Sequence, residues 1–339
     1  MDFIAGGRLT ISITHADVGK RVSVRTRLPS GSGPRPARFT DTVGVLTAWE
    51  GGVLSITRRN GQVARLGEAE MVAAKVVPPA PTRPRGVPAA SVAELTAVGA
   101  RGWPALESER IGGWTVRAGA GWTHRANSGF RSGAGAPDLD RVLRWYAARG
   151  LPAVLHLTSG AEGTDELLDA ELDRAGWRAN RATVCQVAAL APLADRPPDE
   201  RVVVGRALTD AWVRGNPAAL RDPVTARRVL TGGPSVWFAT VPDADGEAAA
   251  VGRCVVDGRW AGFAALRVAP AHRRQGLATA MMAELARAAL GDGASAAYLQ
   301  VEADNAEAQT LYRGLGFADH HHYQYREHPG GAHQREGRA

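Results

Sequence analysis

A small all-β barrel followed by an α/β region is the architecture that the sequence predicts. Three observations carry that expectation. Short strand-like runs with turn signals and no helical period fill residues 1–77. Five prolines then crowd between Pro78 and Pro88. Beyond Ser91, helical and strand-like segments alternate.

The barrel strands are expected at Arg8–Ile13, Arg21–Arg27, Thr42–Trp49, Val53–Arg58 and Val63–Leu66. Glu50-Gly51-Gly52 and Asn60-Gly61 mark turns between the last three, the second being a strong hairpin signal. Five closely spaced strands suggest an open barrel of SH3-like type. Pro29 to Pro36 reads as a loop between strands, and residues 78–90 as a stiff extended linker.

Two segments with the same order of elements follow, separated by Asp195-Arg196-Pro197-Pro198-Asp199. In the first, residues 91–195, Asp138–Arg149 reads as helix, Pro152–Thr158 as strand and Thr164–Ala175 as helix. Gly176-Trp177 and a strand across Arg181–Leu190 come next. In the second, residues 200–326, strands are expected at Arg201–Ala207, Val236–Val241, Ala248–Val256 and Gly262–Val268. Helix Thr279–Leu290, strand Ala296–Val301, helix Ala306–Arg313, Gly316-Phe317 and strand Tyr323–Arg326 complete it. The shared order is a degenerate internal repeat. Residues 327–339 are polar and Gly-rich and are expected to be disordered.

With 339 residues and a 45% apolar fraction, the chain has room for two or three folded domains. It contains no apolar run long enough to span a bilayer. The first residues show neither a basic leader nor a long apolar stretch, so a cytoplasmic protein is expected. Only Cys185 and Cys254 are present, which excludes a disulfide framework or a thiolate zinc site. His320-His321-His322 has no correctly spaced partner ligand, so no metal is expected there; it reads as a solvated loop. The net charge of +7 sits in residues 1–86, which hold 13 basic and 6 acidic residues. Nucleic-acid binding by the barrel is a minority reading, because stacking aromatics are scarce (Phe3, Phe39, Trp49).

Chemistry concentrates after Gly262. An apolar strand stops at Pro270 and passes through Arg273-Arg274-Gln275-Gly276-Leu277-Ala278-Thr279 into a helix with Leu277, Met281, Leu285 and Ala288 at helical spacing. A helix N-terminus entered through a tight loop presents free N–H groups and the positive dipole end to an anion. Twenty-nine residues beyond Gly276 begins Asn305-Ala-Glu-Ala308-Gln-Thr-Leu311-Tyr312-Arg-Gly-Leu-Gly316-Phe317.

Together, Arg273-x-x-Gly276-x-Ala278 and the Asn305–Phe317 segment resemble the acetyl-CoA site of the GNAT N-acetyltransferase superfamily. The resemblance covers about residues 200–326. The whole layout is similar to actinobacterial-type members with an N-terminal SH3-like domain and a degenerate tandem GNAT repeat. It implies a mixed sheet flanked by helices, and direct transfer of an acetyl group from acetyl-CoA to an amine. Pantetheine would lie along the strand bearing Leu266 and Val268, and the diphosphate would sit on Arg273 to Thr279. Tyr312 would protonate the departing thiolate. Asn305 either caps its helix or hydrogen-bonds the cofactor, while Asp304 with Glu307 resembles a capping box.

Many relatives place a carboxylate on the strand before the phosphate loop, and Gly262–Val268 has none. Glu302 is the substitute base, on the same strand face as Tyr298 and Gln300; an amine bound neutral, or a water relay, needs no protein base. The first repeat lacks the Arg-x-x-Gly-x-Ala spacing and has Leu172 where Tyr312 stands, so it is read as scaffold or as one wall of the acceptor pocket. Acceptor loops are expected around Thr209–Asp222. A non-catalytic acetyl-CoA-responsive module is the alternative reading. The acceptor and the oligomeric state are not legible.

Overall fold

The computed structural model of the protein describes residues 10–28, 39–78 and 86–330. The expected loop from Pro29 to Pro36, linker residues 79–85 and residues 331–339 lie outside the described residues.

The first sheet is antiparallel and consists of β1 (Arg21–Arg27), β2 (Phe39–Glu50), β3 (Val53–Arg58), β4 (Val63–Gly67) and β5 (Met71–Val76), ordered β4-β3-β2-β1-β5. Alternation buries Val22, Val24, Leu46, Leu54 and Ile56 on one face. The fifth strand is β5, not the expected Arg8–Ile13. Arg8 and Leu9 lie outside the described residues, and Ile11 forms only an isolated bridge to Ala74. Met71-Val-Ala-Ala-Lys75 lacks clean polar–apolar alternation, which is why sequence reading passed over it.

The rest of the chain forms one mixed sheet of eleven strands with helices on its faces. In chain order it runs α1 (Val92–Gly102), β6 (Glu107–Ile111), β7 (Trp114–Ala118), β8 (Gly129–Arg131), α2 (Leu139–Ala147), β9 (Val154–Ser159), α3 (Glu166–Arg174), β10 (Arg178–Ala189) and α4 (Ala191–Ala194). Then come β11 (Val203–Gly205), α5 (Asp210–Arg214), α6 (Pro217–Leu220), α7 (Pro223–Thr231), β12 (Ser235–Pro242), β13 (Ala248–Asp257) and β14 (Trp260–Val268). Finally α8 (Leu277–Gly291), β15 (Ala296–Glu302), α9 (Ala306–Gly314) and β16 (Ala318–Glu327) follow. The segment expected as acceptor loops is therefore mostly short helix, with Asn216 and Asp222 capping the turns.

The strand order is β11-β12-β13-β14-β15-β10-β16-β9-β8-β7-β6. The two repeats exchange their last strands: β10 lies between β15 and β16, and β16 lies between β10 and β9. The two parallel pairs, β14 with β15 and β8 with β9, occupy corresponding places in the repeats. The exchange also corrects the histidine reading. His320, His321 and His322 stand inside β16, and His321 is 2% exposed, so they are not a solvated loop. The expected strand at Tyr323–Arg326 was too short because three polar histidines conceal a strand covered on both edges.

Tyr298 locks α1 to this sheet. Its ring is buried against Gly262 and Gly102, and its hydroxyl donates to the Val98 carbonyl at 3.3 Å. A Cβ at position 262 would meet the Tyr298 ring at 2.4 Å. Gly262→Ala should therefore cost about 1–3 kcal/mol through overpacking, read as a lower denaturant midpoint at unchanged slope.

Candidate active site

The site begins as a failure of two neighbouring strands to stay paired. β14 and β15 run parallel from Trp260↔Ala296 to Phe263↔Leu299. Beyond that point β14 turns away. Its pairing with β13 shifts from Arg253↔Ala264 to Val251↔Arg267, a bulge in which Ala265 takes φ 53°. A wedge opens between Ala264–Leu266 and Gln300–Glu302, and it widens into a cavity of about 1050 Å³.

Tyr312 on α9 lines this cavity, together with Glu302, Asn305 and Leu266. Its ring packs at a steep angle on Phe317, with centroids 6.0 Å apart. Burial pushes its phenol up to about 12, so the hydroxyl stays protonated through neutral pH. Glu302 is half exposed at the cavity wall, where its Oε1 accepts from Arg181 Nη1 at 3.1 Å. Arg181 reaches it from a bulge in β10 and takes φ 50°. Asn305 caps α9, its Oδ1 accepting from the Ala308 N–H at 3.0 Å. That cap replaces the expected Asp304 box.

The phosphate-loop candidates gather at the N-terminus of α8. Arg273, Arg274, Gln275 and Gly276 are exposed, and Gly276 is the N-cap in the left-handed region at φ 76°. The helix starts with the Ala280 N–H on the Gly276 carbonyl at 3.0 Å, and no side chain caps it. The N–H groups of Leu277, Ala278 and Thr279 therefore point out of the helix end. The side chain of Leu277 is buried in the core, so only its backbone faces the loop. Val268 also turns into the core, pairing with Ala250, and does not line the cavity. Arg274 lies 3.8 Å from Glu307 in the first turn of α9, which brings the loop beside the cavity rim at Asn305 and Ala308.

The opposite wall comes from segments that sequence reading did not single out. Trp103, Trp122, His124 and Arg125 from the first repeat face Tyr323 and Tyr325 of β16. A small side pocket adjoins this wall, with Arg117, Arg125 and His156 among its lining. Burial, reinforced by the Arg117 and Arg125 charges, lowers the His156 imidazole to about 3. Among the described residues no group of three or more His, Cys, Asp or Glu side chains is placed to hold a metal ion. No helix among them is long and apolar enough to cross a membrane.

Comparison with known proteins decides the family. Residues 89–326 match the model described as "Probable histone acetyltransferase Rv0428c C-terminal", and residues 16–75 match "Rv0428c N-terminal Sm-like domain". The chain belongs to this acetyltransferase family. The protein named "Probable histone acetyltransferase Rv0428c" from Mycobacterium tuberculosis is 30% identical over 319 residues, covering 91% of this chain and 94% of that one. Among solved structures, a GCN5-related N-acetyltransferase from Kribbella flavida superposes with a TM-score of 0.52 at 17% identity, over 70% of this chain and 95% of that chain. A tandem GNAT protein from the clavulanic acid biosynthesis pathway has a TM-score of 0.48 at 16% identity, over 72% of this chain and 90% of that chain. The fold is thus that of the GNAT N-acetyltransferases with an N-terminal Sm-like, SH3-like β domain, and the protein is an N-acetyltransferase of this class.

The depressed His156 gives the folded state an acid sensitivity with a definite sign. Above the usual imidazole value of 6.5 the ring is neutral folded and unfolded. As pH falls from there toward about 3 the unfolded chain takes up a proton that the folded chain refuses, so stability falls. Between pH 7 and 5 this amounts to about 2 kcal/mol. His156→Phe keeps the ring beside Tyr323, whose centroid is 4.2 Å away, and should flatten the acid limb of a melting-temperature profile by that amount.

Proposed function

We propose that this protein transfers the acetyl group of acetyl-CoA directly to an amine, with residues 200–326 as the catalytic unit. Residues 91–195 would then be a repeat without transfer chemistry of its own, and residues 1–77 an appended β domain behind the 78–90 linker. One juxtaposition supports this most: a strand wedge, an uncapped fifteen-residue helix N-terminus and a buried tyrosine around one cavity.

The residues present fit the cosubstrate. Main-chain groups of Ala264 to Leu266, released from β15, can take the pantetheine amides, and Val268 would act through its backbone alone. The N–H groups from Arg274 to Thr279, with Arg273 and Arg274 at the rim, suit a diphosphate, while Asn305 serves as the helix cap. Bound acetyl-CoA supplies an activated acyl thioester. The chain supplies position: the wedge holds the acyl end in the cavity where an amine can reach it, which removes on the order of 7 kcal/mol or more from the barrier of the bimolecular reaction when alignment is good.

Tyr312 would donate its proton to the departing sulfur. A phenol held near 12 is a weaker acid than free tyrosine, but the burial that disfavours phenolate disfavours a thiolate in the same cavity too. Glu302 would accept the amine proton, alternating between that task and its Arg181 partner.

Gly276→Asp tests the cofactor site. Acetyl-CoA should raise the melting temperature of the wild type, and this substitution should abolish the rise. The left-handed φ and the added carboxylate both oppose it, while open space around the residue lets the fold persist. A folded variant with an unchanged shift would move the cofactor elsewhere.

Tyr312→Phe tests the proton donor. Turnover should drop by roughly 10²-fold with acetyl-CoA affinity and melting temperature nearly preserved. Because the phenol ionises only near 12, the wild-type rate should show no alkaline fall from this group up to about pH 10. Near-normal turnover in the variant would end the assignment.

A further inference from the structure

The side pocket on the cavity wall contains charge that the fold does not neutralise. Arg117 is 7% exposed. Its Nε donates to the Ser128 carbonyl at 3.2 Å and its Nη2 to the Arg125 carbonyl, but its buried Nη1 meets no acceptor. Arg125 bonds the Tyr323 hydroxyl, and its buried Nε is likewise without an acceptor. Among the described residues neither guanidinium has a carboxylate partner. Other buried arginines here differ. Arg326 is held by Asp169 and Asp173, and Arg253 donates to the carbonyls of Leu230, Gly102 and Gly232.

An uncompensated buried cation carries a large desolvation penalty, and a second, partly buried one beside it adds repulsion. Aromatic faces hold both in place: Arg117 lies 4.9 Å from the Phe130 ring centroid and Arg125 lies 5.1 Å from that of Trp103. The stacking leaves Arg117 Nη1 and Arg125 Nε without an acceptor. His156, being neutral, adds no third cation, and the pocket has no carboxylate in its lining.

We propose that the acceptor carries a carboxylate besides its amine, and that Arg117 and Arg125 bind it at this wall. Arg125, Gln300, Tyr323 and Tyr325 line both the side pocket and the large cavity that holds Tyr312, so the two spaces adjoin. The side pocket has room for about 20 Å³, which fits one oxygen-sized group. A carboxylate seated in the large cavity can place one oxygen there and satisfy the orphan donors, with its amine toward the wedge. A lysine side chain of a basic peptide would bring positive charge to this wall instead. The proposal rests on the transferase reading above and narrows it to amino acids and related amino-carboxylates.

The test uses the full chain saturated with acetyl-CoA and matched pairs of amines: L-phenylalanine against phenethylamine, 4-aminobutyrate against propylamine, and L-lysine against cadaverine. Aminomethylphosphonate against methylamine separates phosphonate from carboxylate, and a lysine-rich peptide stands for a protein acceptor. Thermal shift and product formation are read together. The carboxylate member of at least one pair should bind and turn over at least 30-fold better than its partner. Arg125→Met should erase that preference by lowering binding and turnover of the carboxylate member to the level of its decarboxylated partner, while acetyl-CoA still raises the melting temperature. Because this substitution removes a partly buried cation that no carboxylate balances, the melting temperature should hold or rise. Arg117→Met should give the same loss of preference, and Arg125→Lys should restore part of it. Pairs bound and acetylated without regard to the carboxylate, preference for the phosphonate or the basic peptide, or a melting temperature that falls sharply in Arg125→Met would each overturn the proposal while transfer itself stands. If no acetyl-CoA shift occurs in the wild type, the transferase reading fails first.

Discussion

The wedge between β14 and β15 depends on β15 being held from one side while it is released from the other. β10 pairs with β15 from Ala189↔Ala296 to Thr183↔Glu302, along its whole length, whereas β14 accompanies it only as far as Leu299. A strand end with neither neighbour would leave its backbone groups unsatisfied or collapse back onto β14. The borrowed strand prevents both, so β14 can bend at Ala265 without loosening Gln300 and Glu302. The gap is therefore a rigid feature of the sheet, and Tyr312 faces it from α9.

This arrangement also explains why the first repeat matters without a phosphate loop of its own. It supplies β10, which fixes β15, and it supplies the Trp103, Trp122 and Arg125 wall facing the wedge. Scaffold and acceptor-pocket wall were alternatives at the level of sequence; in the fold the repeat supplies both a supporting strand and one wall of the cavity. The Sm-like sheet contacts this body by another route. Arg59 reaches the Asp319 carbonyl on β16 at 2.9 Å, and Leu167 of α3 approaches Gly19.

Local signals were legible and distant ones were not. The run from Gly262 to Ala278 announces a strand, a stop and a helix start through residues adjacent in sequence, and α8 begins within two residues of the expected place. The Asn305 cap was legible for the same reason. Arg117 was not, because its β7 neighbours Trp114, Val116 and Ala118 mark one inward face and leave Arg117 on the face that alternation assigns to solvent. That face is covered by the Arg125–Ser128 segment, whose carbonyls Arg117 meets, and by α1, whose Thr96 and Gly99 line the same pocket. The buried His321 escaped notice on the same ground, and so did the pairing of Arg181 with Glu302.

Strand exchange has a further consequence for how the molecule is assembled. β9 carries an unpaired edge until β16 docks, and β16 in turn needs β10 on its other side. During synthesis the first repeat must wait, with that edge open, while more than a hundred residues emerge. Such long-range pairing slows folding and exposes a strand to neighbouring chains. The two repeats thus mature as one cooperative unit, and a nascent or truncated chain lacking β16 becomes a natural client for chaperones or a seed for intermolecular strand swapping.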